Sequence, residues 1–256
     1  MMHGVNWPIP LPDDPAVAAL VDLNFIAASY LVNGVAQALA DVIDQPSFVD
    51  GDGLSIDYFS ATNTAVRVLG DAQAQFLTLP WTCVVEWIER SPPSPRATTV
   101  PLVVVTDHVG SADFYEKELR LWTRREAFAP NPAATRGLAA VFDENHPEES
   151  SYYRESLDST NPDVEIAIDD VNRLAVSVEP GDVTANIRTS VNGSDVYALG
   201  FGGVKMRDLT GLSHVFMGDE AYTSTGFVRH IDIRRLRLLP LQPDAQLAIL
   251  STAVGD

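Results

Sequence analysis

The chain has 256 residues, 46% of them hydrophobic, enough to bury one sizeable core, and all-β sandwiches of this length often form a single domain. Asp and Glu outnumber Lys and Arg by 35 to 17, a formal net charge of -18, so binding to nucleic acid, which needs clustered cations, and to anionic membrane surfaces is not expected. A single cysteine, Cys83, excludes an intrachain disulfide and a thiolate metal cluster.

Residues 1–17 form an extended arm in this reading, because Pro8, Pro10, Pro12 and Pro15 crowd its length and deny backbone donors to any sheet. Trp7 with Pro8, Pro10 and Pro12 is either a frayed terminus or an arm that docks on a neighbour in an assembly. No cationic stretch precedes the apolar residues, and Asp22, Asn24 and Asn33 interrupt the run from Ala16 to Val35, so neither a signal peptide nor a membrane span is expected.

From residue 18 to 256 the pattern is mostly that of strands. Leu20 to Phe25 alternates, with Val21, Leu23 and Phe25 on one side. The Ala-rich stretch Val32 to Ile43 admits a helix closed by Pro46. The run VDGDGLSIDYF carries two Asp-Gly turn signals ahead of a strand, and Trp81 to Glu89 alternates until SPPSP ends it. Pro101 to Thr106 and Glu118 to Thr123 are further strand candidates, whereas about 127–170 reads as a long loop region.

The last third is the most regular. Arg173 to Val178 and Asp182 to Val191 alternate strictly, and Asn192-Gly193 is a strong hairpin signal leading to a partner strand at Asp195 to Leu199. Leu212 to Met217 follows. Phe227 to Leu239 alternates with a slip that a bulge would explain, and a short helix runs from Pro243 to about Leu250.

Several chemistries can be weighed from residue types alone. Glycoside hydrolysis needs two facing carboxylates, and on a strand only even spacing supplies them. Glu86 and Glu89 are three apart, and Asp169 and Asp170 are adjacent, so both pairs fail. There is no Gly-x-Ser-x-Gly elbow, and Cys83 lies mid-strand, so no catalytic residue is assigned. Asp50, Asp52, Asp107, Asp113, Asp169, Asp170 and Asp219 are compatible with calcium in loops, Asp107 and Asp219 foremost, or are merely solvated turn residues. No other cofactor is expected. For a saccharide, Tyr152, Tyr153 and Arg154 in the long loop and Tyr222 after Asp219 are candidates, since aromatic platforms suit sugar faces; the plainer alternative is that the tyrosines pin their loop. Arg229, Arg234, Arg235 and Arg237 crowd one strand and either pair with internal acid or meet an acidic neighbour.

The order NRLAVSVEPGDV, SVNG, LSHVFMG and GFVRHIDIRRLRLLPLQPDAQLAIL resembles the second half of concanavalin A-like lectin/glucanase (laminin-G-like) domains, and ALVDLNF, SFVDGDGLSI and WTCVVEWIE resemble their early strands in the same order. The resemblance implies an all-β, concanavalin-like antiparallel β-sandwich (jelly roll), with the extended N-terminal arm and short C-terminal helix added. The early SFVDGDGL with the final HIDIRRLRLLP resembles versions found in bacteriophage virion proteins. That implies a non-enzymatic fibre, spike or capsid decoration, made in the host cytoplasm and located in the virion. Its partners would be other virion proteins and its own copies, a trimer by analogy with fibres, with a surface polysaccharide as the candidate ligand. The alternative is a freestanding carbohydrate-binding protein or glycoside hydrolase of the same fold.

Overall fold

In a computed structural model of the protein, the structure describes residues 18–57, 64–90, 98–107, 118–125, 135–142, 166–167, 169–179, 186–199, 211–218 and 230–252. Strand β1 (Val21–Asn24) follows the alternation of its sequence, with Val21 and Leu23 fully buried. After a short turn, β2 (Ser29–Val32) meets β3 (Val35–Ala36) through Asn33 and Gly34, at φ of 50° and 75°. Val32 pairs with Val35, so this is a two-residue hairpin, the turn that requires left-handed backbone at both positions. The helix admitted for Val32 to Ile43 is thereby reduced to one turn, α1 (Leu39–Val42). The Asn-Gly pair reverses the chain before the alanines can act.

The two Asp-Gly signals deliver the hairpin of β4 (Val49–Asp50) and β5 (Gly53–Asp57), where the Asp50 carboxylate accepts from the Asp52 amide at 2.8 Å. Next come β6 (Ala65–Arg67), α2 (Gly70–Phe76), which the strand pattern did not announce, and β7 (Trp81–Glu89). Then follow β8 (Thr98–Thr106), β9 (Glu118–Arg125) and β10 (Thr135–Phe142). β10 lies within the stretch expected as loop. Its TRGLAAVF has glycine and two alanines, weak strand formers, and its strand state comes from pairing with β9 along its whole length.

The described part of the final third follows its reading: β11 (Val171–Glu179), β12 (Asn186–Val191), β13 (Tyr197–Leu199), β14 (His214–Gly218), β15 (His230–Pro240) and α3 (Asp244–Leu250), while 182–185 and 227–229 of the expected strands lie outside the described residues. Asn192 and Gly193 take φ of 49° and 74° as their hairpin predicts. The slip in the last strand is a bulge between Ile233 and Arg235 against β7. Pro243 stands one position earlier than expected, capping α3 instead of opening it.

The strands form a ten-stranded sheet, in the order β13-β12-β11-β7-β15-β1-β2-β3 with β5 and β4 continuing from β15, and a five-stranded sheet in the order β10-β9-β8-β14-β6. Every pairing among them is antiparallel. One core cluster joins Trp81, Cys83, Val85, Trp87, Leu174, Val176, Ile231 and Leu236 of the large sheet to Val66, Val103, Val105, Leu119, Leu121 and Met217 of the small one. The fold is therefore an all-β, concanavalin-like antiparallel sandwich of jelly-roll type with a short C-terminal helix. Trp122 is buried too, but on the opposite face of β9, with the Arg120 guanidinium 5.9 Å from its ring centre. Among the described residues no helix is long and apolar enough to cross a membrane.

A helix of seven residues is not stable alone, so α3 depends on docking. It places Leu247 and Leu250 against Val84, Ala175 and Leu239 on the outer face of the large sheet, each leucine contributing about 1.5–3 kcal/mol of burial. The rest of that outer face carries the polar residues of β1, β7, β11 and β15.

Candidate functional site: the outer face of the ten-stranded sheet

Because successive strand residues point to opposite faces, Cys83, Val85 and Trp87 enter the core and Glu86 stands on the outer face of β7. Glu89 follows Trp87 inward and is 5% exposed, so the two glutamates do diverge. Around Glu86 converge Arg173 of β11, whose Nε donates to Oε2 at 3.1 Å with a further bond from Nη2, and Arg234 of β15, 3.6 Å from Oε1. Arg173 Nη1 also donates to the Thr252 carbonyl at 2.9 Å, tying the end of α3 to the sheet.

Arg234 and Arg235 are consecutive, yet both meet carboxylates of this face, which the bulge after Ile233 makes possible. The bulge is seated on Gly53, where φ is +131° and an added Cβ would lie 2.6 Å from the Ile233 carbonyl oxygen. Arg235 grips Asp22 of β1 through two bonds, Nε to Oδ1 at 2.8 Å and Nη2 to Oδ2 at 2.6 Å. This is the bidentate fork that guanidinium and carboxylate geometry favours.

Arg237 lies two residues further along β15. Its pKa is pulled down to about 10, first by burial and then by the positive charges of Arg235 and Arg173. A cleft of about 460 Å³ opens here. Asp22, Arg235 and Arg237 line it together with Leu239 of the same strand as the arginines, Leu20, Leu31, Asn33 and Gly34 of the neighbouring segment, and Ala18 and Ala19.

At the far end of the same face Arg90 is a hub. Its Nε donates to Asp232 Oδ2 at 2.8 Å, while Asp169 and Asp52 each stand 3.5 Å from its terminal nitrogens. Asp169 is carried there by a short loop clamped on the buried Asn172 amide, which donates to the Ala167 and Asp170 carbonyls and accepts from the Ala167 amide. His230 Nε2 lies 2.9 Å from Asp232 Oδ1 and 3.2 Å from Ser55 Oγ. The three residue types invite comparison with a catalytic triad, but one ring nitrogen faces both partners. A triad uses opposite nitrogens, one held by the acid and the other accepting the serine proton. Here Nε2 donates to the carboxylate and cannot also be the base for Ser55.

The hydrogen bond that His230 donates to Asp232 raises its pKa above the ordinary value, against an opposing effect of burial. For Asp232 burial acts upward, yet the bonds from His230 and Arg90 outweigh it and the net shift is downward. Burial pushes the Cys83 thiol far up, as its mid-strand position implies.

Of the residues singled out from sequence, Tyr152, Tyr153, Arg154, Tyr222, Asp219, Asp113, Trp7, Pro8, Pro10 and Pro12 lie outside the described residues. Asp107 follows β8 of the small sheet, where its carbonyl accepts from Ser213 Oγ at 3.2 Å, away from the face just described. Asp52 and Asp169, weighed as calcium ligands, meet Arg90 instead. Among the described residues no three His, Cys, Asp or Glu side chains are grouped so as to hold a metal ion. Internal pairing of the arginines holds for Arg234 and Arg235, while Arg229 lies outside the described residues. Asp22 and the Asn33-Gly34 hairpin escaped the sequence reading as site residues. The hairpin had a legible signal in VNG; Asp22 had none, since its partner is 213 positions away.

No protein-family model matches this chain, and no curated protein is similar to it in sequence. Solved structures are similar in fold. A sialidase CBM40 of Ruminococcus gnavus, bound to α2,3-sialyllactose, has a TM-score of 0.47 at 14% identity, over 72% of this chain and 88% of that one. A leech intramolecular trans-sialidase has 0.46 at 13%, over 73% of this chain and 25% of its own. The alginate lyase Aly36B has 0.43 at 10%, over 85% and 86%. Likeness at this level is to the layout of the strands and says nothing of a ligand.

Proposed function

We propose that the protein is a non-catalytic recognition module that holds a saccharide on the outer face of its ten-stranded sheet. The observation that carries this reading is the lining of the cleft beside β1 and β2. Leu20, Leu31 and Leu239 supply apolar wall, and Asp22, Asn33 and Arg235 supply donors and acceptors, two of them locked in a bidentate pair. A sugar ring has C–H faces and a hydroxyl rim, and small-molecule sites combine apolar walls with a few oriented polar groups in volumes of about 300–1,000 Å³. Hydrolysis is not part of the reading, because Asp22 and Glu86 are each engaged by guanidinium groups. Neither is free to pass a proton to a glycosidic oxygen, the task one member of a hydrolase pair must perform.

Glycan-array binding by the full chain, lost on Leu31→Trp without change in the unfolding midpoint, is the expected result. Absence of binding, or binding indifferent to that substitution, overturns the proposal, and reducing ends released from a bound glycan overturn its non-catalytic half. The resemblance carried jointly by the early SFVDGDGL and the final HIDIRRLRLLP supports a place in a phage virion as fibre, spike or decoration, in contact with other virion proteins. Mass spectrometry of purified particles tests that placement, and a chain missing from them refutes it.

A further inference from the structure

Strand pairing sets Asp22 directly opposite Arg237, but the carboxylate goes to Arg235. Among the described residues Arg237 makes no hydrogen bond and no ion pair, although it is half-buried and lines the cleft. Among the described residues, the guanidinium groups of Arg173 and Arg235 lie close enough to Arg237 for their like charge to act on it, and Asp22 and Glu86, which act the other way, are bonded to other arginines. A cation drawn out of water without a partner is costly, and an incoming anion relieves that cost.

We infer that the cleft is an anion site in which Arg237 receives the carboxylate of an acidic saccharide. This rests on the saccharide reading above and names the class of sugar. The fork of a guanidinium matches a carboxylate with two parallel bonds, while Leu31 and Leu239 remain to meet the ring. The negative field of the whole chain disfavours a dense polyanion, so the carboxylates of the ligand should be sparse. The lowered pKa of Arg237 agrees with a cation that burial and like charges leave under-compensated, though still protonated at neutral pH.

The test follows the thermal unfolding midpoint of the full chain in sodium galacturonate, in its uncharged methyl ester and in sodium acetate, at matched ionic strength. Galacturonate is expected to raise the midpoint saturably, with the ester and acetate doing much less. Arg237→Gln should abolish the response, weaken galacturonate binding by about tenfold or more in calorimetry, and leave the ligand-free midpoint at or above that of the parent. Arg237→Lys, which keeps the charge and loses the fork, should bind at an intermediate level. A galacturonate response retained in Arg237→Gln, or a ligand-free midpoint lowered by it, overturns the inference. Equal effects of acid and ester leave the saccharide reading standing and remove this one; equal effects of galacturonate and acetate remove the sugar from it. No response to either sugar counts against both.

Discussion

Asp22 and Arg237 face each other across β1 and β15, yet the Asp22 carboxylate is held by Arg235, two residues back along the strand. The diagonal choice leaves one arginine bonded and one turned to the cleft. Asp22→Asn should weaken the Arg235 fork and cost roughly 1.5–3 kcal/mol in urea unfolding, as expected for a hydrogen bond to a charged group with both side chains largely buried. An unchanged midpoint would mean the pair is solvated away.

Glu86 serves two arginines, so its loss should be the more severe. Glu86→Gln leaves Arg173 and Arg234 facing a neutral amide in a poorly hydrated part of the sheet, and a loss of about 3–5 kcal/mol is expected. Combining Glu86→Leu with Arg173→Met should recover part of it in a double-mutant cycle. Recovery should be incomplete, because Arg173 also anchors the Thr252 carbonyl.

The His230–Asp232 pair predicts a pH dependence. The folded-state pKa of His230 is raised above 6.5, so its contribution is complete below about 6.5 and fades as the pH climbs through the folded value. That of Asp232 is lowered below 3.8, so its contribution is present above that value and is lost as the pH falls through the folded one. Denaturation midpoints should therefore decline as the pH rises above about 6.5, with a flatter profile in His230→Asn. A slope unaltered by that substitution would assign the dependence to another group.

Gly53→Ala tests the seat of the bulge. Its Cβ would lie 2.6 Å from the Ile233 carbonyl oxygen at a φ of +131°, so at least about 1–3 kcal/mol of stability should be lost. Since the bulge aims Arg234 and Arg235, glycan binding should fall with it. An alanine variant as stable as the parent would show that the bulge can shift freely.

Local chemistry was enough to find most of the strands. Trp81 to Glu89, Arg173 to Val178 and the last strand alternate because one face of each meets the core, and period two survives in sequence whatever the partner strand. Asn192-Gly193 and Asp52-Gly53 announced turns because few residues accept the positive φ that Gly53, Asn192 and Gly193 adopt. The same rule predicts the Asn33-Gly34 hairpin, which the alanines that follow obscured. β10 was not legible, since its residues are weak strand formers and its pairing with β9 decides its state.

By itself, then, the sequence determined an acidic antiparallel sandwich, the crowding of arginines on its last strand and the divergence of Glu86 from Glu89. Only the tertiary structure decided which arginine is bonded and which is left facing the cleft. Strand order brings β1, β7 and β11 beside β15 from distant parts of the chain, and a one-residue bulge turns Arg234 toward Glu86 and Arg235 toward Asp22. Alternation is a property of neighbours along the chain; charge pairing across a sheet depends on register between strands that no local pattern encodes.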